Sequence, residues 1–210
     1  MAKGLFVTLE GGEGAGKSTL ARTLKTALEA EGRSVVLTRE PGGTPGAEQI
    51  RDLLVRGAAD RWSPMTEALL FYAARVDHVE KVIRPAVANG DIVISDRFAD
   101  STMAYQGAAG GLSLDRLQEL HAIVLGEFKP DLTVLIDIEP ETGLSRTAGR
   151  DGSEARFESK ALAFHERLRA AFRALAEAEP VRFVCLDGDQ PPAVLAEQAL
   201  QAIRERLGHG

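Results

Sequence analysis

The chain predicts a three-layer α/β fold, helices covering both faces of a parallel sheet, and three features carry that expectation. Five short runs are almost continuously apolar, the pattern of strands buried on both faces. Longer stretches with helical spacing lie between them, so strand and helix alternate throughout. A glycine-rich turn, residues 11–18, joins the first apolar run to the first helical stretch.

The strands are expected at Leu5–Leu9, Ser34–Thr38, Ile92–Ser95, Leu132–Ile136 and Val181–Leu186. Between the first two, Leu20, Leu24 and Leu28 recur every fourth residue from Lys17 to Glu31, and Gly32 marks the end. One long helix is expected from Pro64 to Ala88, carrying Leu69, Phe71, Val76, Val79 and Ile83, with Asn89-Gly90 as its stop. Further helices are expected over 113–126, 140–149, 158–179 and 192–207. No repeat or linker divides the 210 residues, a length that suits a single domain.

The net charge of −6 argues against a protein bound mainly to a nucleic-acid polymer, which needs a broad basic face. A small anionic ligand needs only a few local cations. No apolar run approaches the roughly 20 residues of a membrane span, and Met1 to Thr8 lack the marks of a signal peptide. The lone Cys185 excludes an internal disulfide, so a cytoplasmic location is the expectation.

In open α/β sheets ligands sit beyond the carboxyl ends of the strands, so the loops there hold the candidates. After the first strand, Gly11-Gly12-Glu13-Gly14-Ala15-Gly16-Lys17-Ser18 fits G-x-x-x-x-G-K-[ST] at every fixed position, followed by Thr19. Glycines let backbone N–H groups wrap a phosphate, and the helix amino terminus adds a positive partial charge. Lys17 suits β- and γ-phosphates, and the Ser18 hydroxyl suits Mg²⁺. A nucleoside triphosphate, with ATP as the expectation, is implied. After the third strand, Asp96 suits Mg²⁺ and Arg97 a phosphate. Arg39-Glu40-Pro41-Gly42-Gly43-Thr44 follows the second strand at the same sheet edge. In isolation it reads as a solvated turn. Phe71 and Arg75 share a helix face, as do Thr102, Tyr105 and Gln106. Spacing alone leaves a base site and an ordinary helix surface both open.

Together these segments resemble the bacterial thymidylate kinases. The resemblance rests on the blocks 10–19, 39–44, 70–75, 96–98, 100–102 and 104–107, continuing through 130–133 and the arginine-rich stretch 146–156. The order and spacing hold over about 160 residues. It implies a P-loop kinase fold with a five-stranded parallel sheet and a mobile lid at about 146–157. It implies transfer of the ATP γ-phosphoryl to dTMP, giving dTDP on the way to dTTP, with Mg²⁺, in a homodimer.

The resemblance also implies site roles. Phe71 would lie under the thymine ring and Arg75 on its edge, with Thr102 and Gln106 bonding the base and Tyr105 against the deoxyribose. Arg39 or Arg51, with Arg97, would hold the dTMP phosphate, and Glu40 would fix that loop. Position 13 is Glu, so the phosphate loop has no arginine and the lid must supply the catalytic cation. That falls to Arg150, supported by Arg146 and Arg156. Other monophosphate kinases are disfavoured because Asp96-Arg97-Phe98 stands where the adenylate kinase-like Asp-Gly-Phe-Pro-Arg would be. A GTPase-like switch is disfavoured because no Asn-Lys-x-Asp is present.

Overall fold

The computed structural model describes residues 4–58, 60–147 and 160–208. Five strands form one sheet: β1 (Leu5–Glu10), β2 (Val35–Arg39), β3 (Ile92–Asp96), β4 (Leu132–Asp137) and β5 (Phe183–Asp187). Their order is β2-β3-β1-β4-β5 and all four pairings are parallel. β1 leads to β2 on one side while β4 and β5 lie on the other. The crevice at the end of β1 is therefore a topological switch point.

Period-two alternation sends successive side chains to opposite faces. Leu5, Val7 and Leu9 enter a core with Ile92, Ile94, Val134 and Ile136. Leu20, Leu24 and Leu28 of α1 (Lys17–Ala30) close it, together with Leu195, Ala199 and Ile203 of the C-terminal helix Pro192–Gly208. Phe6 faces the other side and packs with Tyr72, Val79, Ile83, Val93 and Phe98. Two polar residues of β1 lie on that same side. Thr8 bonds Thr133 at 2.9 Å, and Glu10 ends the strand fully buried.

The helices between strands largely follow the periodic pattern, with three differences. The first is α2 (Pro45–Val55), which the apolar pattern did not announce. Its signal is at its start: Thr44 accepts from the Ala47 N–H at 3.0 Å and Pro45 opens the first turn. The second lies inside the expected helix over 64–88, which is continuous but changes its winding. α3 runs Pro64–His78, a π-helical turn follows at Val79–Ile83, and α4 takes Arg84–Asn89. Pro85 has no N–H and its ring crowds the carbonyl four residues back, so the widened turn just before it relieves the clash. The third is a short helix α5 (Ala99–Thr102) that passes into a π-helical turn at Met103–Ala108, before α6 (Leu114–Leu125).

After β4 come α7 (Pro140–Thr147), α8 (Leu162–Ala178) and, beyond β5, α9 (Pro192–Gly208). β5 starts two residues later than expected because Arg182 and Phe183 still donate to the Glu179 carbonyl.

Candidate active site

The phosphate loop follows β1, and α1 begins at Lys17. Gly14 has φ +66°, and a Cβ there would collide with the Gly143 carbonyl of α7. Gly16 at φ +94° turns the chain into the helix. These positions need glycine for conformation and for close approach. Lys17 Nζ donates to the carbonyls of Gly11 (3.0 Å) and Gly12 (2.7 Å), which spans the loop. The loop, Ser18 and Thr19 line a solvent-open cleft of about 1650 Å³.

Parallel pairing of β1 with β3 sets Leu9 beside Asp96, so the two strand ends meet at this cleft. The Ser18 hydroxyl donates to Asp96 Oδ2 at 2.6 Å. A hydroxyl and a carboxylate converging on a wide cleft are hard oxygen donors of the kind Mg²⁺ accepts alongside phosphate and water. Arg97, next along, has φ +70°, the one non-glycine residue in that region among those described. Its Nη1 donates to Gly11 O at 3.1 Å, and its Nη2 reaches both Glu13 carboxylate oxygens at 3.2 and 3.3 Å. Tyr105 also donates to Glu13, at 2.5 Å.

Glu10 holds the turn that carries Arg97. Its carboxylate accepts from the Phe98 N–H at 2.8 Å and from the Ser101 hydroxyl at 2.6 Å. Burial, then the neighbouring charge of Asp100, push its carboxyl up to about 7. Hydrogen bonds from Ser101 and Phe98 and the charge of Arg97 oppose that rise.

A second, smaller pocket opens beside the first and is mostly apolar in its walls, which include Phe71, Phe98, Thr102, Tyr105 and Gln106. Arg75 lines it and is 1% exposed. Spacing alone allowed a surface arginine here; instead it is among the largest fully buried side chains. It stays charged in that setting because Nε donates to Glu40 Oε2 at 2.7 Å and Nη2 to Phe98 O and Thr102 Oγ1, each at 3.1 Å. The rings of Tyr72 and Phe98 flank it at 4.7 and 5.2 Å. Its remaining nitrogen, Nη1, is buried with no hydrogen-bond partner. Gln106 donates to Glu67 at 3.1 Å.

The other expected residues separate by position. Arg51 of α2 is buried and donates to Pro41 O at 2.9 Å, whereas Arg39 is exposed and bonds Glu48 at 3.0 and 3.2 Å. Both line the large cleft, as does Arg146, whose Nη1 donates to Gly188 O at 3.2 Å beyond β5. Arg150 and Arg156 lie outside the described residues. His78 passed unnoticed in the sequence, although it stands three residues after Arg75 on the same helix face. It is fully buried, with Nδ1 3.0 Å from Glu40 Oε1 and Nε2 2.7 Å from Thr38 Oγ1.

A parallel sheet with a glycine-rich lysine–serine loop at its switch point, adjoined by a small, mostly apolar pocket, defines a P-loop kinase. Residues 9–199 match the family model described as Thymidylate kinase, and the chain belongs to the thymidylate kinase family. A thymidylate kinase of Caulobacter vibrioides is 54% identical over 208 residues, covering 99% of this chain and 100% of that one. A thymidylate kinase of Ruegeria pomeroyi is 51% identical over 204 residues, covering 97% and 96%. The crystal structure of thymidylate kinase from Ehrlichia chaffeensis superposes with a TM-score of 0.76 at 31% identity, covering 95% of this chain and 98% of that one.

Proposed function

We propose that the two adjoining cavities are one substrate path, on which this chain transfers the γ-phosphoryl of ATP to dTMP and forms dTDP and ADP. The observation that carries it is shared walls. Glu13, Glu40 and Arg97 line both the apolar cavity and the phosphate cleft. A monophosphate whose base enters the first presents its phosphate to the second. Within the base cavity, the unpartnered Nη1 of buried Arg75 calls for an acceptor, which a pyrimidine carbonyl supplies. Phe71 offers a ring face for stacking, and Thr102, Tyr105 and Gln106 complete the walls.

The nucleophile is a phosphate oxygen. A phosphate monoester has its second pKa near ~6 and is mostly dianionic at neutral pH, so no general base is required. The obstacle is repulsion between two polyanions, worth several kcal/mol per pair of charges at ~4 Å and an effective dielectric near 20. Lys17 and Arg97 supply positive charge where the phosphoryl group passes, and the loop N–H groups bind the oxygens. Arg51, with Arg39 at the rim, holds the acceptor phosphate. Mg²⁺ would be held by Ser18 and Asp96 and would neutralise charge between the β- and γ-phosphates.

Residues 1–210 act as one domain whose lid, at about 146–157, brings Arg150 over ATP, with Arg146 and Arg156 in support. Arg150→Ala should cut turnover far more than it weakens dTMP binding; equal losses in steady-state kinetics would remove that role. A cytoplasmic location and small-molecule substrates go with the thymidylate kinase reading; no described helix is long and apolar enough to cross a membrane. It forms a homodimer through α2, α3 and α6, where Leu53, Leu69 and Ile123 are exposed. Light scattering at micromolar concentration tests this, and a monomer would refute it.

The deciding experiment is ADP release from Mg·ATP with each nucleoside monophosphate in turn. Strong stimulation by dTMP, with little from AMP, CMP or GMP, is expected. A different preferred monophosphate would overturn the base-site assignments, and no stimulation at all would overturn the transfer reaction.

A further inference from the structure

Arg75 is the side chain that meets the base in the proposed function, and on its own helix only the Tyr72 ring, 4.7 Å away, touches its guanidinium. Phe98 O and Thr102 Oγ1 take its Nη2, and its one ionic partner is Glu40, which lies on the loop after β2 and is 4% exposed. Glu40 is itself shared: Oε2 takes Arg75 Nε at 2.7 Å, and Oε1 faces His78 Nδ1 at 3.0 Å. The other ring nitrogen, Nε2, lies 2.7 Å from the Thr38 hydroxyl on β2. The four residues form an unbroken chain, Thr38–His78–Glu40–Arg75, that runs from the half-buried Thr38 inward to the unpartnered Nη1. The turn between them is moulded to the imidazole. A Cβ on Gly43 would collide with the His78 ring and stand 2.8 Å from Thr38 Oγ1.

Two sets of hydrogens fit these distances, a neutral ring with Nδ1–H and a doubly protonated ring, and charge separates them. An ionised Glu40 can only accept, so Nδ1 carries a hydrogen in both. In the neutral ring Nε2 accepts from the Thr38 hydroxyl, and both nitrogens are satisfied. Glu40 and Arg75 cancel in charge, so a neutral ring keeps the buried set neutral, whereas a second buried cation would not. We propose that His78, as the neutral Nδ1–H tautomer oriented by Thr38, is a positioning residue that fixes Glu40 and so aims Arg75 Nη1 at the base carbonyl. A 4-oxo pyrimidine offers an acceptor at that nitrogen. A 4-amino pyrimidine offers a donor and leaves two donors opposed. His78 thereby contributes to discrimination against cytosine without touching the substrate. This rests on the dTMP kinase reading above.

The test compares His78→Asn with His78→Gln, because an Asn amide reaches the place of Nδ1 and a Gln amide the place of Nε2. Both are assayed with dTMP and with dCMP at saturating Mg·ATP. His78→Asn keeps the hydrogen bond to Glu40 and should hold the dTMP KM within about threefold of the parent chain. His78→Gln keeps only the Thr38 side and should raise the dTMP KM about tenfold or more, narrow the dTMP-to-dCMP preference, and leave the KM for ATP unchanged. Equal behaviour of the two variants, or a rise in the ATP KM in step with that for dTMP, would overturn the proposal. If the parent chain itself fails to phosphorylate dTMP, the functional reading falls instead, so the two failures are distinct. Nitrogen-15 NMR of histidine-labelled parent protein decides the tautomer even if a variant does not fold. Nδ1–H with a bare Nε2 is expected, and the Nε2–H form or a doubly protonated ring would refute the assignment.

Discussion

The phosphate loop and the base cavity sit side by side but are built in opposite ways. The loop is eight consecutive residues whose glycines place backbone N–H groups, and one lysine spans its own carbonyls. The base cavity draws Glu40 from a loop, Phe71 and Arg75 from α3, and Thr102 with Gln106 from the segment after β3. It works through side chains, one of them a fully buried guanidinium. Backbone recognition is encoded locally and tolerates solvent. Side-chain recognition of a base needs a dry cavity, and a dry cavity makes every unpaired charge costly. The contrast is therefore one of energetic exposure: damage to the loop should cost turnover, and damage to the cavity should also cost the fold.

The sharpest way to break this contrast is Glu40→Ala. It strands the Arg75 guanidinium in the core and should destabilise the chain by about 3–5 kcal/mol in urea unfolding. A loss below about 1 kcal/mol would mean the buried network is not coupled to the fold. Lys17→Ala should do the reverse, cutting turnover about 10²- to 10³-fold in an ADP-release assay while the urea midpoint barely moves.

Glu10 lies beneath the loop side and sharpens the comparison through pH. Its carboxyl titrates near 7 in the folded chain, against an ordinary 4.5, because burial and then Asp100 disfavour the charge. The folded state thus holds this proton more tightly than the unfolded state does. The resulting stability is fully present below about pH 4.5 and is lost as pH rises through about 7. The stability of the parent chain relative to Glu10→Gln should fall by up to about 3 kcal/mol across that window, read from unfolding curves at several pH values. A flat difference would show that Glu10 keeps an ordinary acidity. Smallest of all, Arg39→Ala removes an exposed pair with Glu48 and should change stability by less than about 1 kcal/mol. A larger change would place Arg39 in the buried network with Arg51.

Legibility followed the same division. The phosphate loop was readable because its chemistry depends on contiguous spacing, and the observed Ser18–Asp96 contact joins two residues already singled out. The strands were readable from burial on both faces, though each ends one residue beyond its apolar run and β2 and β5 begin one and two residues later than expected. Helix α2 was missed although Thr44 and Pro45 mark its start, and its buried face carries the charged Arg51 beside Ala47, Leu54 and Val55, which an apolar pattern does not count. The long helix over 64–88 runs through as expected, and only its π-helical turn at Val79–Ile83 escaped notice, because Pro85 acts on local geometry that a hydrophobic period does not register. His78 was missed because a histidine on a helix says nothing of Thr38 and Glu40, 40 and 38 residues away along the chain.

Sequence by itself determined the alternation of strands and helices, the phosphate loop and the family resemblance, since each rests on residues close together or on a fixed order. The tertiary structure decided which charges are buried and what they hold. Arg75 became a buried donor between two rings, Glu13 a partner for Arg97 and Tyr105, and Glu10 a carboxyl shifted towards neutrality. The reason is physical. A charge's energy depends on its distance from water and from other charges, and only the folded chain fixes those distances.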